Sequence, residues 1–489
     1  MNPNWKENIH HKIDALIDDY KENADMLLKM EDYIMNQLPN LLRNVNNTQM
    51  ERETRKSILE EKSNEFMEAF LKKSHYYYCT TTEIFFEYKE GSYNCIREDT
   101  ILYNILNAIS GNKVLLPWKY KIKTSLLKRI KERDIFNSTP NTETIQGVLT
   151  IFEQYFNMSK ETAKYFLTIV GDIMFKKNTN LYFINSDVKQ LLKEINNNGY
   201  LLFGMPNLTT HFKYKYHEHT YSDCRLIHFR GKIYEEIVKN AFKNNTINTL
   251  LVGCYFSNKY TCADIFIQDF CKDFTFKKHA HYLKNNSEET IVQDFITEMT
   301  EVSNESSIGW KEVSYLWKTY NEKHNYPSIM FQTTLKEHLI GTLGEKYNKE
   351  EDVFIHMTSS YLPDVQKFLD FWNKEIYETD EQIEYEIDEI YNLFQSSYKS
   401  NTMTEEKLLG LIKHYYSEVV IEDGKYFLNI GCHLWNKKKE AQDYLCQHNI
   451  ELSANTCVDD FYESYKTNIH NPKKRLSKHY FEKFISEQI

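Results

Sequence analysis

One short stretch in the middle of the chain, "HFKYKYHEHTYSDCRLIHFRG" (residues 211–231), concentrates side chains that could do chemistry. His217 and His219 alternate, so on a β-strand both imidazoles would point the same way, and Cys224 and His228 follow as further candidate metal ligands. The gaps between these residues match no zinc module, so the sequence does not define a metal centre. A metal-dependent enzyme built on this region is therefore one hypothesis among several.

The same stretch also has the pattern of a nucleic-acid-binding strand. With a period of two, Lys213 and Lys215 share one face with the histidines, while Tyr214 and Tyr216 lie on the other. Cations can contact phosphates and aromatic rings can stack on bases, and Arg225 on the next predicted strand would add a further phosphate contact. The alternative is a half-buried antiparallel strand, with its aromatic side in the core and its Lys and His side in solvent.

The densest basic run is "PWKYKIKTSLLKRIKERD", residues 117–134, in a chain whose net charge is −10. On a helix, Ile122, Leu126 and Ile130 would face a core and leave basic side chains outside. Such a face suits a phosphate backbone or an acidic partner, with Trp118 as a stacking group, and an ordinary solvated helix face is the alternative. The candidate phosphate contacts are Lys119, Lys121, Lys123, Lys128, Arg129, Lys131 and Arg133.

Other charged clusters carry less information. The C-terminal "NPKKRLSKHYFEKF" predicts a basic tail helix, and the acidic "DEQIEYEIDEIYNLF" predicts a solvated helix face. Asp264 and Asp269 lie in "TCADIFIQDFCKDF", an amphipathic pattern that predicts solvent-facing carboxylates. The candidate phosphate contacts of the tail are Lys473, Lys474, Arg475 and Lys478.

Sequence motifs of common enzyme classes are missing. The chain contains no GxxxxGK[ST] or GxGxxG phosphate loop, no kinase HRD or DFG set, no GxSxG nucleophile elbow and no HExxH zinc helix. We therefore expect a non-enzymatic protein without a cofactor.

The composition of the 489-residue chain favours a mainly α, multi-domain protein. Its 29 Phe and 36 Tyr can fill hydrophobic cores, whereas 14 Gly and 8 Pro are few for the turns of a many-stranded fold. The net negative charge implies that any nucleic-acid binding is local. Nine cysteines without repeated CxxC spacing favour reduced thiols in a cytosol-like compartment. No apolar leader or run of about 18 apolar residues is present, so we expect neither secretion nor a membrane span.

Helix and strand patterns position these residues within a mainly α fold that has a smaller α+β middle section. Strands are predicted at "HFKYKYHEH", "DCRLIHFRG" and "INTLLVGCYF", and no internal repeat is evident. A hairpin is predicted to turn at Lys89-Glu90-Gly91, and a helix break near Pro39. The predicted segments are an N-terminal helical arm (1–65), a helical domain with the inserted hairpin (66–205), the α+β middle domain (206–300), a helical domain (301–401), and a winged-helix-like C-terminal unit with a basic tail (402–489).

Two segments and the composition carry a resemblance. The Asn-, Lys- and Tyr-rich composition resembles that of proteins from AT-rich large DNA viruses of protists. The order "FLKKSHYYYCTTTEIFFEYKEGSYNCIREDTILYNIL" is similar to the domain preceding the helicase in poxvirus-type primase–helicases, and "WKEVSYLWKTYNEKHNYPSIMFQTTLKEHL" resembles their C-terminal winged helix. Together these segments cover under half of the chain. The ATPase core is absent, so neither helicase activity nor any catalytic residue is transferred.

The resemblance implies a viral protein that works on or near nucleic acid, in the host cytoplasm, a viral factory or the virion. Our first hypothesis is binding of RNA or DNA, or of its processing machinery, during viral gene expression or replication. The second is a protein scaffold, like the large subunit of a cap-binding translation-initiation complex, which gathers an RNA helicase and a cap-binding protein. The third is the metal-dependent enzyme described above. No membrane or small-molecule cofactor is expected as a partner.

Overall fold

The computed structural model describes residues 4–177, 180–229, 233–380, 383–398, 403–447, 458–468 and 474–488. Helices make up 66% of it and the sheets have only two or three strands, so the predicted mainly α fold class is confirmed. Three clusters of buried apolar residues form the cores, the first within residues 67–130, the second within 79–280 and the third within 183–485. No helix in these ranges combines the length and apolar character that a bilayer crossing requires.

The N-terminal arm is helical, as predicted, but Pro39 does not break it. Helix α1 spans Trp5–Asp19, α2 spans Ala24–Asp32, and a π-helical turn at Tyr33–Gln37 connects α2 to α3, Leu38–Lys73. Pro39 lies in the first turn of α3, where a missing backbone N–H is tolerated. The predicted break is therefore a change in helical winding and not a loop.

The predicted hairpin is confirmed and has a third strand. Strands β1 (Tyr76–Cys79), β2 (Ile84–Lys89) and β3 (Ser92–Ile96) form an antiparallel sheet in that order. Glu90 and Gly91 take positive φ of 52° and 75°, as the tight turn between β2 and β3 requires. The next helices are α4 (Glu98–Ser110), α5 (Lys119–Lys131), α6 (Thr142–Phe156), α7 (Lys160–Met174) and α8 (Lys189–Phe203).

In the middle section two strand predictions were wrong. Strands β4 (Leu181–Phe183), β5 (Phe212–Lys213) and β6 (Cys224–Leu226) form a parallel sheet ordered β5-β4-β6, so only two residues of "HFKYKYHEH" are in a strand. The segment "INTLLVGCYF" belongs to a buried helix, α10 (Thr246–Tyr260). A short apolar run does not distinguish a buried strand from a helix that is buried on all sides.

Helix α10 packs closely on α7 through two glycines. A Cβ atom on Gly171 would lie 2.2 Å from the carbonyl oxygen of Gly253. Only glycine, which has no Cβ, fits at this helix crossing without that clash. The helix predicted over "TCADIFIQDFCKDF" is a short helix followed by a π-helical turn, Phe266–Phe270. The smaller helices of this section are α9 (Glu235–Phe242), α11 (Ala263–Ile265), α12 (Phe274–Ala280) and α13 (Tyr282–Asn285).

Two consecutive units of the same topology follow. The first consists of α14 (Glu288–Met299), β7 (Glu301–Gly309), α15 (Trp310–His324), α16 (Gln332–Leu343), β8 (Tyr347–Asn348) and β9 (Val353–Thr358). The second consists of α17 (Pro363–Glu375), which continues into a short strand β10 (Ile376–Glu378), then β11 (Glu384–Glu386), α18 (Ile387–Ser397), α19 (Glu405–Tyr415), β12 (Val420–Glu422) and β13 (Tyr426–Leu428).

Both units have the helix–strand–helix–helix–strand–strand order of a winged helix. In each sheet the first strand pairs with the last, giving the orders β7-β9-β8 and β11-β13-β12. In each, a glutamate in the first turn of the next helix accepts a hydrogen bond from the N-cap backbone: Glu312 from Gly309 and Glu389 from Glu386. The sequence predicted one such unit after residue 402, a resemblance to a winged helix over residues 310–339, and no repeat, whereas two units of this order are present and the second begins at α17.

Three glutamates of the acidic run in the second unit are buried, which contradicts the predicted solvated helix face. Glu384, Glu386 and Glu389 are 5%, 8% and 4% exposed. The buried Lys437 Nζ lies 2.8 Å from the Glu389 carboxylate and donates to the Glu384 carbonyl, which compensates the buried charge. The chain then ends with strand β14 (Ile430–Cys432), paired with β10, and helices α20 (Lys437–Gln447), α21 (Val458–Asn468) and α22 (Lys478–Gln488).

Candidate functional site

The basic run predicted over residues 119–133 folds largely as α5, which packs on α4 and β1. Ile122, Leu126 and Ile130 are buried, as the helical period predicts. Residues 97–133, which include α4, α5 and their connection, carry nine basic and three acidic side chains, a net charge of +6 within a chain of −10. This part of the protein is therefore a local positive region.

The fold itself uses three of the seven predicted cations. Lys121 Nζ lies 3.7 Å from the Glu60 carboxylate, and Lys131 Nζ lies 3.6 Å from that of Glu98. Arg133 donates hydrogen bonds of 3.0 and 3.2 Å to two backbone carbonyls at the end of α3. These three side chains already have partners within the fold and are poorer candidates for phosphate contacts than the other four.

The other four cations are available to a ligand. Lys119 contacts only a hydroxyl, with its Nζ 3.3 Å from Ser110 Oγ. Among the residues that the structure describes, Lys123, Lys128 and Arg129 have no carboxylate within ion-pairing distance. We call these last three residues the α5 cationic face: Lys128 is exposed at its centre, and the half-buried Lys123 and Arg129 lie on its two flanks, beside the buried side of the helix.

Aromatic rings stand beside this face. Trp118, the predicted stacking residue, is half-buried and has Lys121 Nζ 3.8 Å from its ring centroid. Tyr120 is 75% exposed and lies 5.8 Å from Lys123 Nζ. Sequence reasoning missed Tyr120, although its position between two lysines of the run was a signal.

The predicted strand residues of the middle section divide between surface and core. Lys215 is exposed, and Lys213 and Tyr214 are half-buried. Tyr216 is only 7% exposed, and its hydroxyl donates to the His219 carbonyl at 2.9 Å. The prediction of Tyr216 as a base-stacking group was therefore wrong, because its ring is buried in the third core.

Arg225 is a structural residue and not a phosphate contact. It is 3% exposed and donates two hydrogen bonds, of 2.9 and 2.7 Å, to the carboxylate of Asp264. Burial alone would raise the pKa of Asp264, but the neighbouring His281 and Arg225 hold it well below its usual range. Asp264 is thus part of a buried ion pair, which corrects the prediction that it faces solvent.

The residues considered as metal ligands do not converge. His217 is exposed and His219 is half-buried, whereas the buried Cys224 thiol donates to a backbone carbonyl 3.2 Å away. Burial raises the pKa of Cys224 to about 11, so the thiol is protonated at neutral pH. The His228 ring instead lies 6.1 Å from the ring of His279. In the described ranges, no group of three or more His, Cys, Asp or Glu could hold a metal ion.

The C-terminal basic cluster is largely used by the fold. Lys473 lies outside the described residues. Lys474 Nζ donates to a backbone carbonyl at 2.7 Å, and Lys478 Nζ lies 3.6 Å from a glutamate one turn further along α22. Arg475 is exposed. The cluster packs on the third core, whereas α5 packs on the first, so the two basic segments belong to different parts of the fold.

In helix-turn-helix proteins a recognition helix lies in the major groove of DNA. By analogy, the third helix of each winged-helix unit, α16 or α19, would occupy that groove. In α16 and α19, however, every Lys and His side chain pairs with a carboxylate of the first unit. Helix α19 also packs directly on β7, which carries two of these carboxylates. The pairs, at 2.7–3.1 Å, are Lys336–Asp352, His338–Glu288, Lys407–Glu312, Lys413–Glu305 and His414–Glu301.

A cleft of about 710 Å³, which the sequence did not predict, lies between the second and third cores. Its walls come from the α6–α7 turn and α12 on one side and from α14 and the end of α15 on the other. Tyr326 stacks on Tyr282 at 4.6 Å and on His324 at 5.3 Å. His324 Nε2 lies 2.8 Å from the Glu298 carboxylate. Because these residues come from separate elements, no sequence spacing indicated the cleft.

One histidine in the cleft is held neutral. Burial lowers the pKa of His279 to about 4, so its imidazole is uncharged at neutral pH. The Nε2 atom of His279 has no hydrogen-bond partner among the described residues. A buried imidazole nitrogen without a partner is costly unless a ligand or water satisfies it.

Comparisons with protein-family models, with curated proteins and with solved structures found no match for this chain. The similarity to segments of primase–helicases therefore stays a prediction.

Proposed function

We propose that this protein is a non-enzymatic, nucleic-acid-associated protein that holds single strands on the α5 cationic face, in viral gene expression or replication. The observation that carries the proposal is that basic side chains are paired on α16 and α19 but not on the α5 cationic face. The Lys and His residues of α16 and α19 are paired with carboxylates, whereas the three cations of the α5 cationic face have no carboxylate partner in the described part of the chain and lie in a region of net charge +6. Unpaired cations can exchange counterions for phosphates at the lowest cost.

Preference for single strands rests on Tyr120. Its ring is 75% exposed and adjoins Lys123, so a base could stack on the ring while the ammonium contacts the neighbouring phosphate. A duplex keeps its bases stacked on each other and would use only the cations. We therefore expect tighter binding to a single strand than to a duplex of the same sequence.

The test is a fluorescence-anisotropy titration of labelled single-stranded RNA and DNA. Replacing Lys123, Lys128 and Arg129 with Gln should weaken binding at least about tenfold in moderate salt, because three phosphate contacts are lost. A matched control removes the same charge from exposed lysines outside α5 and should bind like the unmodified protein. The control variant is Lys189→Gln, Lys193→Gln, Lys243→Gln.

Equal weakening in both triple variants would refute the proposal, because the effect would then follow net charge and not position. The scaffold hypothesis makes a different prediction: defined protein partners would remain after nuclease treatment of a pull-down and would be retained by the α5 variant. Nucleic acid as the main co-purifying species, lost with the α5 variant, supports binding through α5.

The cleft favours a second candidate function, the binding of a small ligand with an aromatic part. Its volume is in the range of small-molecule sites, and it lies between two cores, where such sites are common. The unpartnered Nε2 of His279 provides one hydrogen-bonding position. Thermal-shift measurements with the four ribonucleoside 5′-monophosphates test this function. A shift that Tyr326→Ala abolishes supports it, and the absence of any shift at millimolar ligand contradicts it for this class.

A further inference from the structure

For its length, the N-terminal arm exposes far more apolar surface than the rest of the protein. Neither α1 nor α2 has a buried residue, and α3 has buried residues only at Ser63 and Met67, near its C-terminal end. Fifteen large apolar side chains between Trp5 and Ile58 are exposed, against fourteen in all the remaining described residues. About half of the exposed apolar residues thus lie in roughly a ninth of the chain.

This surface is arranged in stripes. Leu38, Leu41, Leu42 and Val45 follow one another at i, i+3, i+4 and i+7 on α3 and are 41–59% exposed. On α1, a similar stripe begins at Trp5 and ends at Tyr20. Helices in water gain most of their stability from packing such a stripe, so an arm without buried residues lacks this contribution.

We infer that the arm is a self-association surface, and that the α1–α2 stretch of one chain packs on the α3 stripe of a second copy. The exposed apolar area of the arm supports a second copy of the chain as the partner. Fifteen large apolar side chains about half exposed present roughly 1,300 Å² per chain, well above the largest apolar patch of a typical monomer. Covering half of that area on each of two copies buries on the order of 1,300 Å², which is enough for a specific dimer.

Charge complementarity also favours a second copy. Residues 5–32 carry eight acidic and four basic side chains, whereas residues 38–56 carry four basic and two acidic ones. In a twofold arrangement each chain provides both surfaces, so the acidic stretch of one copy can lie against the basic stretch of the other on both sides. The excess of acidic residues in the arm disfavours an anionic lipid surface as the occupant.

The test is the mass of the full-length protein in solution, measured by light scattering coupled to size-exclusion chromatography at tens of micromolar. We expect twice the chain mass. Leu41→Glu with Val45→Glu should give the monomer mass, while the thermal unfolding midpoint of the rest of the protein stays that of the unmodified chain. The matched control is Leu201→Glu, at a residue 68% exposed on α8, which should stay dimeric.

A charge exchange tests the arrangement. Asp18→Lys with Asp19→Lys should weaken the dimer at least tenfold, and adding Arg52→Glu with Arg55→Glu should restore most of that loss. A monomer mass at these concentrations would overturn the inference, and the exposed stripes of the arm would then be assigned to a different partner. A dimer that persists in the Leu41→Glu, Val45→Glu variant also overturns it, because the interface would then lie elsewhere.

Discussion

The buried Lys437–Glu389 pair allows a quantitative prediction about the C-terminal core. Lys437 is fully buried, with its Nζ 2.8 Å from the Glu389 carboxylate and 4.2 Å from the ring centroid of Tyr480. Burial lowers the pKa of Lys437 and raises the pKa of Glu389, and their mutual attraction opposes both shifts. Lys437→Met keeps the aliphatic stem but leaves the glutamate without its cation, so we expect a loss of about 3–5 kcal/mol in the free energy of unfolding.

The companion substitution separates charge from packing. Glu389→Gln in the Lys437→Met background removes the unpaired charge and keeps an acceptor for the Glu386 N–H, so it should recover about 2 kcal/mol. In Lys437→Met alone, the folded state should hold Glu389 protonated with a raised pKa. The loss should therefore be smaller at pH 5 than at pH 8, because stability that depends on the protonated form is lost as pH rises through the folded pKa.

The assay is urea denaturation followed by circular dichroism at both pH values. Lys439→Met is the matched control, because Lys439 is exposed on the same helix and its loss should change stability by under about 0.5 kcal/mol. If Lys437→Met were as stable as this control at pH 8, the argument that the pair compensates buried charge would be refuted.

Two further predictions concern α7. Gly171→Ala places a Cβ 2.2 Å from the Gly253 carbonyl oxygen and should lower the free energy of unfolding by more than about 3 kcal/mol in thermal unfolding. Gly147→Ala is the control: its added Cβ would have no atom within 4 Å, so it should be neutral or stabilising by up to about 1 kcal/mol. Equal effects would contradict the close packing of α7 on α10. Burial raises the pKa of Asp172 from 3.8 to about 6, so the protonated form contributes stability at low pH that is lost as pH rises through 6. Between pH 5 and pH 8, Asp172→Asn should therefore gain about 1.4 kcal/mol on the unmodified protein, out of about 3 kcal/mol over the whole titration, and a pH-independent difference in melting temperature would contradict the shift.

Local patterns predicted much of the fold. The period of Ile122, Leu126 and Ile130 placed the inner face of α5, and the Glu90-Gly91 turn placed the hairpin, because both depend on residues close in sequence. The error at α10 has a physical reason, since a helix buried on every side shows no polar face to mark its period. The repeat of the winged-helix order and the start of the second unit at α17 were missed, because β8 and β11 have only two and three residues and carry almost no pattern.

The site could be predicted only in part, because side-chain partners come from distant sequence. Lys121 and Lys128 look equivalent in the basic run, yet Glu60 on α3 pairs with the first and not the second. The same holds for Arg225 on β6, which was predicted as a surface cation, whereas Asp264 on α11 pairs with it.

The most direct test of the central claim is the salt dependence of binding to single-stranded nucleic acid. For the unmodified protein, the logarithm of the affinity should fall linearly with the logarithm of salt concentration. Replacing Lys123, Lys128 and Arg129 with Gln should reduce the magnitude of this slope by about 2. The reason is that each phosphate contact on a single strand contributes about 0.7 to the slope. An unchanged slope in that variant would contradict the assignment of the α5 cationic face as the nucleic-acid contact.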